Sequence, residues 1–174
     1  MRDSKVKKLV LTAMFAALTT VMTMVIRVPS PMQGYVNLGD CAVLLSAWIL
    51  GPLYGGAAAG IGSMMADILA SYAHYAPGTL IIKFFMGVAA GLIFRAMRSE
   101  RYSKVLAGQA VSGVAAEAIM VLGYFAYCGL MLGKGMAAAL SIPGNIVQGV
   151  FGLVAAAAVY AILDRSHVLK HVPA

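Results

Sequence analysis

The stretch from Tyr35 to Lys83, YVNLGDCAVLLSAWILGPLYGGAAAGIGSMMADILASYAHYAPGTLIIK, holds two long apolar runs and the start of a third. Asp40, Asp67 and Lys83 lie inside these runs or at their edges. Charges in such surroundings are costly, so each needs a partner or a function. Gly51 and Pro52 close the first run, and Tyr54-Gly55-Gly56 is expected to turn the chain into the second. SYAHYAPG, ending at Gly78, connects the second run to the third. Whether the three charges meet decides what the stretch builds.

Outside the stretch the chain has the same character. Hydrophobic residues make up 61% of its 174 residues and charged residues 11%, with a mean hydropathy of +0.88. Soluble domains carry roughly 45–50% apolar and about 25% charged residues, so this composition belongs in a bilayer. At about 20 residues per span the length fits six helices. The expected fold is an all-α integral membrane protein: one compact six-helix domain, 1–174, with helices near 7–27, 38–50, 57–71, 79–97, 105–132 and 141–163. The run from Leu9 to Ile26 is long and reads as a retained helix rather than a cleaved signal. SPMQGYVN, broken by Pro29 and Pro31, reads as a polar, flexible connection.

The formal charge of +7 is not gathered in a patch suited to nucleic acid. Arg2, Lys5, Lys7, Lys8, Arg95, Arg98, Arg101, Lys104, Arg165 and Lys170 fall on one set of connections, and only Arg27 and Lys134 on the other. That asymmetry places both termini in the cytoplasm. Cys41 and Cys128 fall in apolar runs and read as small buried hydrophobes. No H-E-x-x-H, no P-loop and no nucleophile elbow with a membrane-embedded histidine is present, which speaks against an enzyme and against ATP hydrolysis by this chain. No cofactor or metal is expected.

The topology assigns depths. Asp40 and Asp67 lie near the outer ends of their helices, and Lys83 about 6 Å below the expected outer start of its own. Glu117 is near mid-depth, and Asn145 and Gln148 are in the outer half of the last helix. Five helices therefore send polar side chains toward one side. An Asp67–Lys83 pair would satisfy part of this charge, and Asp40, following Asn37, could instead cap its helix. Tyr35, Tyr72, His74, Tyr75, Tyr124 and Tyr127 gather beside the cluster. They form either an interfacial aromatic belt or the wall of a pocket for a flat, ring-shaped solute. The candidate substrate-binding set is Tyr35, Asn37, Asp40, Asp67, Tyr75, Lys83, Glu117, Tyr124, Asn145 and Gln148. On the first helix Ala13 and Ala17, with Ala16 and Thr20 beside them, make a small-residue face that suits packing within the bundle or docking of another membrane subunit.

The basic start, the Ala13-x-x-x-Ala17 stripe and the succession GYVNLGD, GPLYGG, AD and YAPGTLIIK resemble the substrate-binding S components of energy-coupling factor (ECF) vitamin transporters. The resemblance covers nearly the whole chain. It implies a vitamin site near the outer surface, roofed by the first and third connections. It also implies a transmembrane coupling subunit and two cytoplasmic ATPases as partners, with Ala13 and Ala17 at the contact and ATP used by the partners. The S component would topple in the bacterial cell membrane as it carries its ligand inward. The NLGD start resembles the branch linked to riboflavin, pyridoxine or hydroxymethylpyrimidine, and the outer aromatics favour a neutral ring compound. Two other classes stay open: a stand-alone secondary transporter with Asp67 or Glu117 as proton site, and a membrane scaffold without a ligand.

Overall fold

A computed structural model describes residues 2–30, 34–99 and 101–171. Six α-helices follow in order: α1 (Arg2–Val25), α2 (Gly39–Leu50), α3 (Pro52–Leu69), α4 (Ala76–Ala96), α5 (Tyr102–Ala126) and α6 (Ile142–Arg165). A two-stranded hairpin, β1 (Arg27–Ser30) and β2 (Gly34–Asn37), joins α1 to α2. A π turn at Tyr127–Met131 extends α5, and 3-10 turns cover Gly135–Ser141 and Val168–His171.

The shortest helix is the axis of the bundle. Every residue of α2 except Ile49 is buried, which is the environment expected of a segment apolar all round. Val43 and Leu44 are fully enclosed, and Trp48 donates its indole N–H to Ser112 Oγ of α5 at 2.9 Å. Helices α1, α3, α4 and α6 pack around this axis. Glycines let the backbones close in. A Cβ on Gly56 of α3 would lie 2.9 Å from the Phe84 carbonyl oxygen of α4, and one on Gly87 would lie 2.8 Å from Gly56 Cα. On the other side of α3, Gly62 abuts the Ala16 carbonyl and receives the Thr20 hydroxyl at its own carbonyl at 2.8 Å. The G-x-x-x-G spacing from Gly56 to Gly60 thus falls on the α3–α4 contact, where small residues allow close approach.

Two local expectations are corrected. The first connection is an ordered antiparallel ladder pairing Arg27 with Asn37 through Ser30 with Gly34. Val28, Tyr35 and Val36 favour strand, and a two-stranded ribbon has free edges that tolerate Pro29. Pro31 lies outside the described residues. Tyr54-Gly55-Gly56 does not turn the chain but continues α3. The break is made by Gly51 alone, at φ +82°, with Pro52 as a first helical residue that needs no N–H partner. The connection after Lys134 is itself largely a 3-10 turn.

Against six expected spans, four segments among the described residues are long and apolar enough to cross a membrane: Lys5–Val25, Ala76–Ala96, Tyr102–Met131 and Gly135–Arg165. α2 has only 12 residues, about 18 Å of rise. The outward sides are apolar: Leu9, Met14, Val21, Phe85, Leu122, Phe151 and Val154 are all exposed on the bundle surface. The chain is a multi-pass membrane protein.

Candidate functional site

The end of the bundle carrying the hairpin contains a cavity with about 50 Å³ of open space. Eight of the ten candidates line it: Tyr35, Asn37, Asp67, Tyr75, Lys83, Tyr124, Asn145 and Gln148. Asp40 and Glu117 stand outside the lining, each in its own environment.

Asp40 is the second residue of α2 and fully buried. One carboxylate oxygen accepts a hydrogen bond and ion pair from Lys83 Nζ of α4. The other accepts from Gln148 Nε2 of α6 at 2.6 Å. Gln148 Oε1 in turn accepts from the Asn37 backbone N–H at 2.9 Å and from Asn37 Nδ2 at 3.0 Å. Asn37 Oδ1 takes the Gly39 N–H at 2.8 Å. The hairpin, α2, α4 and α6 are thus tied at one level by a chain of hydrogen bonds, of which the two made to the Asp40 carboxylate are buried and charge-assisted, the stronger kind. Two sequence expectations change here. Lys83 pairs with Asp40 rather than Asp67, and the residue turning back on the α2 start is Asn37, with Asp40 making no cap.

Asp67 Oδ1 accepts the Tyr35 hydroxyl at 2.7 Å, which fastens the hairpin to the C-terminal end of α3. Burial, and then the nearby Asp67 carboxylate, push the Tyr35 phenol well above its ordinary pKa, so it stays a donor. Asp67 Oδ2 and the Thr23 hydroxyl, both buried on lining residues, have no hydrogen-bond partner among the described residues. The Tyr124 hydroxyl shares a hydrogen bond of 2.9 Å with Thr79, and its ring lies 5.8 Å from Lys83 Nζ. That is within the range of a cation–π contact. Tyr75 accepts from Lys134 Nζ at 3.2 Å and packs its ring 6.4 Å from that of Tyr124. His74 sits against Tyr75 at 4.7 Å, and Tyr127 donates to the His74 carbonyl at 2.8 Å. The aromatics therefore form a continuous wall on the third connection and the end of α5.

Glu117 is buried, with neither carboxyl oxygen hydrogen-bonded among the described residues. It presses on Gly149 of α6, where an added Cβ would lie 2.8 Å from Oε2. The lining also includes Thr23, Ser63, Thr79, Cys128 and Ser141, which sequence reasoning did not select. A signal for several of them existed. Ser63 and Thr79 lie one helical turn before Asp67 and Lys83, and Ser141 one turn before Asn145, so each shares a face with a selected residue. On α1 the small-residue face splits. Ala16 and Thr20 pack on Gly62, whereas Ala13 and Ala17 are exposed.

A helical bundle apolar on its outside, with a polar and aromatic cavity at one end and a buried ion pair beneath it, has the architecture of a membrane-embedded binder of small solutes. Residues 3–165 match the family model "ECF-type riboflavin transporter, S component", and the chain belongs to that family. It is a vitamin-transporter S component by family rather than an enzyme. An "Uncharacterized protein in gap 3'region" of Pyrococcus woesei is 39% identical over 136 residues, 78% of this chain and 86% of the relative. The thiamine precursor transporter HmpT of Lactococcus lactis subsp. cremoris is 29% identical over 172 residues, 98% of this chain and 95% of the relative. A solved structure described as "Structure and mechanism of the S component of a bacterial ECF transporter" superposes with a TM-score of 0.66 at 21% identity, covering 92% of this chain and 97% of that one, and shares its fold.

Proposed function

We propose that this chain binds a small, neutral, ring-shaped vitamin precursor in the hairpin-end cavity and delivers it inward as the S component of an ATP-driven ECF importer. The observation that carries the reading is the pair of buried oxygens on the cavity lining, Asp67 Oδ2 and Thr23 Oγ1, that lack a hydrogen-bond partner among the described residues. Leaving such groups unsatisfied costs about 1–3 kcal/mol each, and a ligand N–H or O–H removes that cost. The tyrosine wall supplies ring-stacking surface. The narrow cavity and the resemblance to a thiamine precursor transporter favour a single-ring compound, of hydroxymethylpyrimidine or pyridoxine type, over the tricyclic riboflavin.

The charge asymmetry supports six crossings in a cell membrane with both termini in the cytoplasm, which puts the cavity at the outer face. The exposed Ala13 and Ala17 are then the surface offered to a transmembrane coupling subunit, and two ATPases on that subunit would hydrolyse ATP. Glu117 favours a second reading. A buried carboxyl with no hydrogen-bond partner among the described residues is suited to binding and releasing a proton, as a stand-alone secondary transporter requires. Uptake of labelled hydroxymethylpyrimidine, pyridoxine and riboflavin into vesicles separates the two. We expect uptake only with the coupling subunit, the ATPases and ATP. Uptake by this chain alone, collapsing with the proton gradient, would establish the second reading instead.

A further inference from the structure

The opposite end of the bundle holds a larger cavity, with about 560 Å³ of open space. Its origin lies in helix lengths. Asp40, Lys83 and Gln148 stand at one level because they bond to one another. From that level α2 runs about 15 Å to Leu50, α4 about 20 Å to Ala96 and α6 about 26 Å to Arg165, at ~1.5 Å per residue. The α2–α3 turn at Gly51 therefore stops about 5–10 Å short of its neighbours. The recess left beneath it is roofed by Trp48 to Gly51 and walled by α4 and α6.

The lining divides by chemistry. Trp48, Phe94 and Tyr160 form an aromatic wall with ring centroids 5.6–6.0 Å apart. Arg95 and Arg98 stand at the rim, exposed, and neither forms an ion pair with a carboxylate among the described residues. Arg95 reaches to within 3.7 Å of where a Gly51 Cβ would be. Asp164 is the one carboxylate among the described lining residues, so the recess is cationic on balance. A recess with an aromatic wall on one side and two guanidinium groups at its mouth, at the membrane end rich in basic residues, matches an amphiphile with an anionic head.

We propose that this recess is a specific site for one anionic phospholipid of the inner leaflet, its phosphate held by Arg95 and Arg98 and its glycerol end and upper acyl chain against Trp48, Phe94 and Tyr160. The leaflet assignment rests on the topology proposed above; the lipid site itself does not. Guanidinium groups grip the phosphate in bidentate fashion. The lipid completes the wall that the short α2 leaves open and stiffens the turn at Gly51.

Native mass spectrometry of the full chain released from nanodiscs of equimolar phosphatidylglycerol and phosphatidylcholine tests this. Wild type is expected to retain one phosphatidylglycerol. In the Arg95→Gln, Arg98→Gln double variant the retention should fall about 30-fold, as loss of two basic contacts predicts. The Arg101→Gln, Lys104→Gln variant loses the same charge at the same membrane end but outside the lining, and should retain the lipid as wild type does. Equal retention in all three, equal retention of phosphatidylcholine, equal loss in both double variants, or capture of inorganic phosphate as firmly as of lipid would overturn the proposal. Thiol labelling of Arg101→Cys in intact cells reads the topology separately. Labelling from outside would overturn the leaflet assignment while leaving lipid retention unchanged.

Discussion

Asp40→Ala is expected to destabilise the protein by about 3–5 kcal/mol, because it strands the Lys83 ammonium in a buried site. Asp40 is fully buried and Lys83 3% exposed, so water does not replace the lost carboxylate. The Gln148 amide loses its acceptor in the same step, and with it the hold that Gln148 keeps on Asn37 and the hairpin. The effect is measured as a lowered thermal unfolding midpoint in detergent. The paired variant Asp40→Leu, Lys83→Met removes both charges and is expected to recover much of the stability, since a buried ion pair as a whole contributes little beyond its apolar replacement. Ligand binding should not recover with it, because Lys83 also lines the cavity. A double variant that regains both stability and binding would remove Lys83 from the site.

Ala17→Trp, and likewise Ala13→Trp, is expected to abolish transport while leaving ligand binding and unfolding temperature near wild type. Both alanines are exposed on the outward face of α1, so a larger side chain there meets lipid rather than the bundle. It would nonetheless block the close approach of a second helix that small residues permit. Ala16→Trp is the internal contrast. Ala16 packs on Gly62 of α3, so overpacking should lower stability first. Uptake and thermal unfolding, measured together on the three variants, separate docking from packing. Full transport by Ala17→Trp would take the coupling contact away from this face.

Much of the architecture was readable before any coordinates. Hydropathy defines the helices because backbone groups in hydrocarbon must bond within their own segment. The convergence of polar residues follows from topology and rise per residue alone. What was not readable was partner choice and the fine path of connections. Lys83 has two aspartates near the N-terminal part of its helix. Asp40 lies at its level on the central α2, and Asp67 is engaged instead by Tyr35 from the hairpin. No sequence pattern announces that the hairpin folds back over the cavity, because SPMQGYVN has the composition of a loop. The recess at the opposite end of the bundle was equally hidden. It depends on the difference in length between α2 and its neighbours below a level fixed only by the buried bonds. Ser63 and Thr79 are marked only by the face they share with Asp67 and Lys83, because a hydroxyl in a helix usually satisfies itself on its own backbone.

Equilibrium binding of riboflavin, pyridoxine, hydroxymethylpyrimidine, thiamine and a folate to the purified chain, and to Asp67→Asn, tests the site most directly. The account predicts that one single-ring compound binds in a one-to-one ratio. It also predicts about tenfold or greater weakening by Asp67→Asn, which turns the unpartnered acceptor into a donor while preserving shape. Binding confined to thiamine or the folate, or binding indifferent to Asp67→Asn, would contradict it.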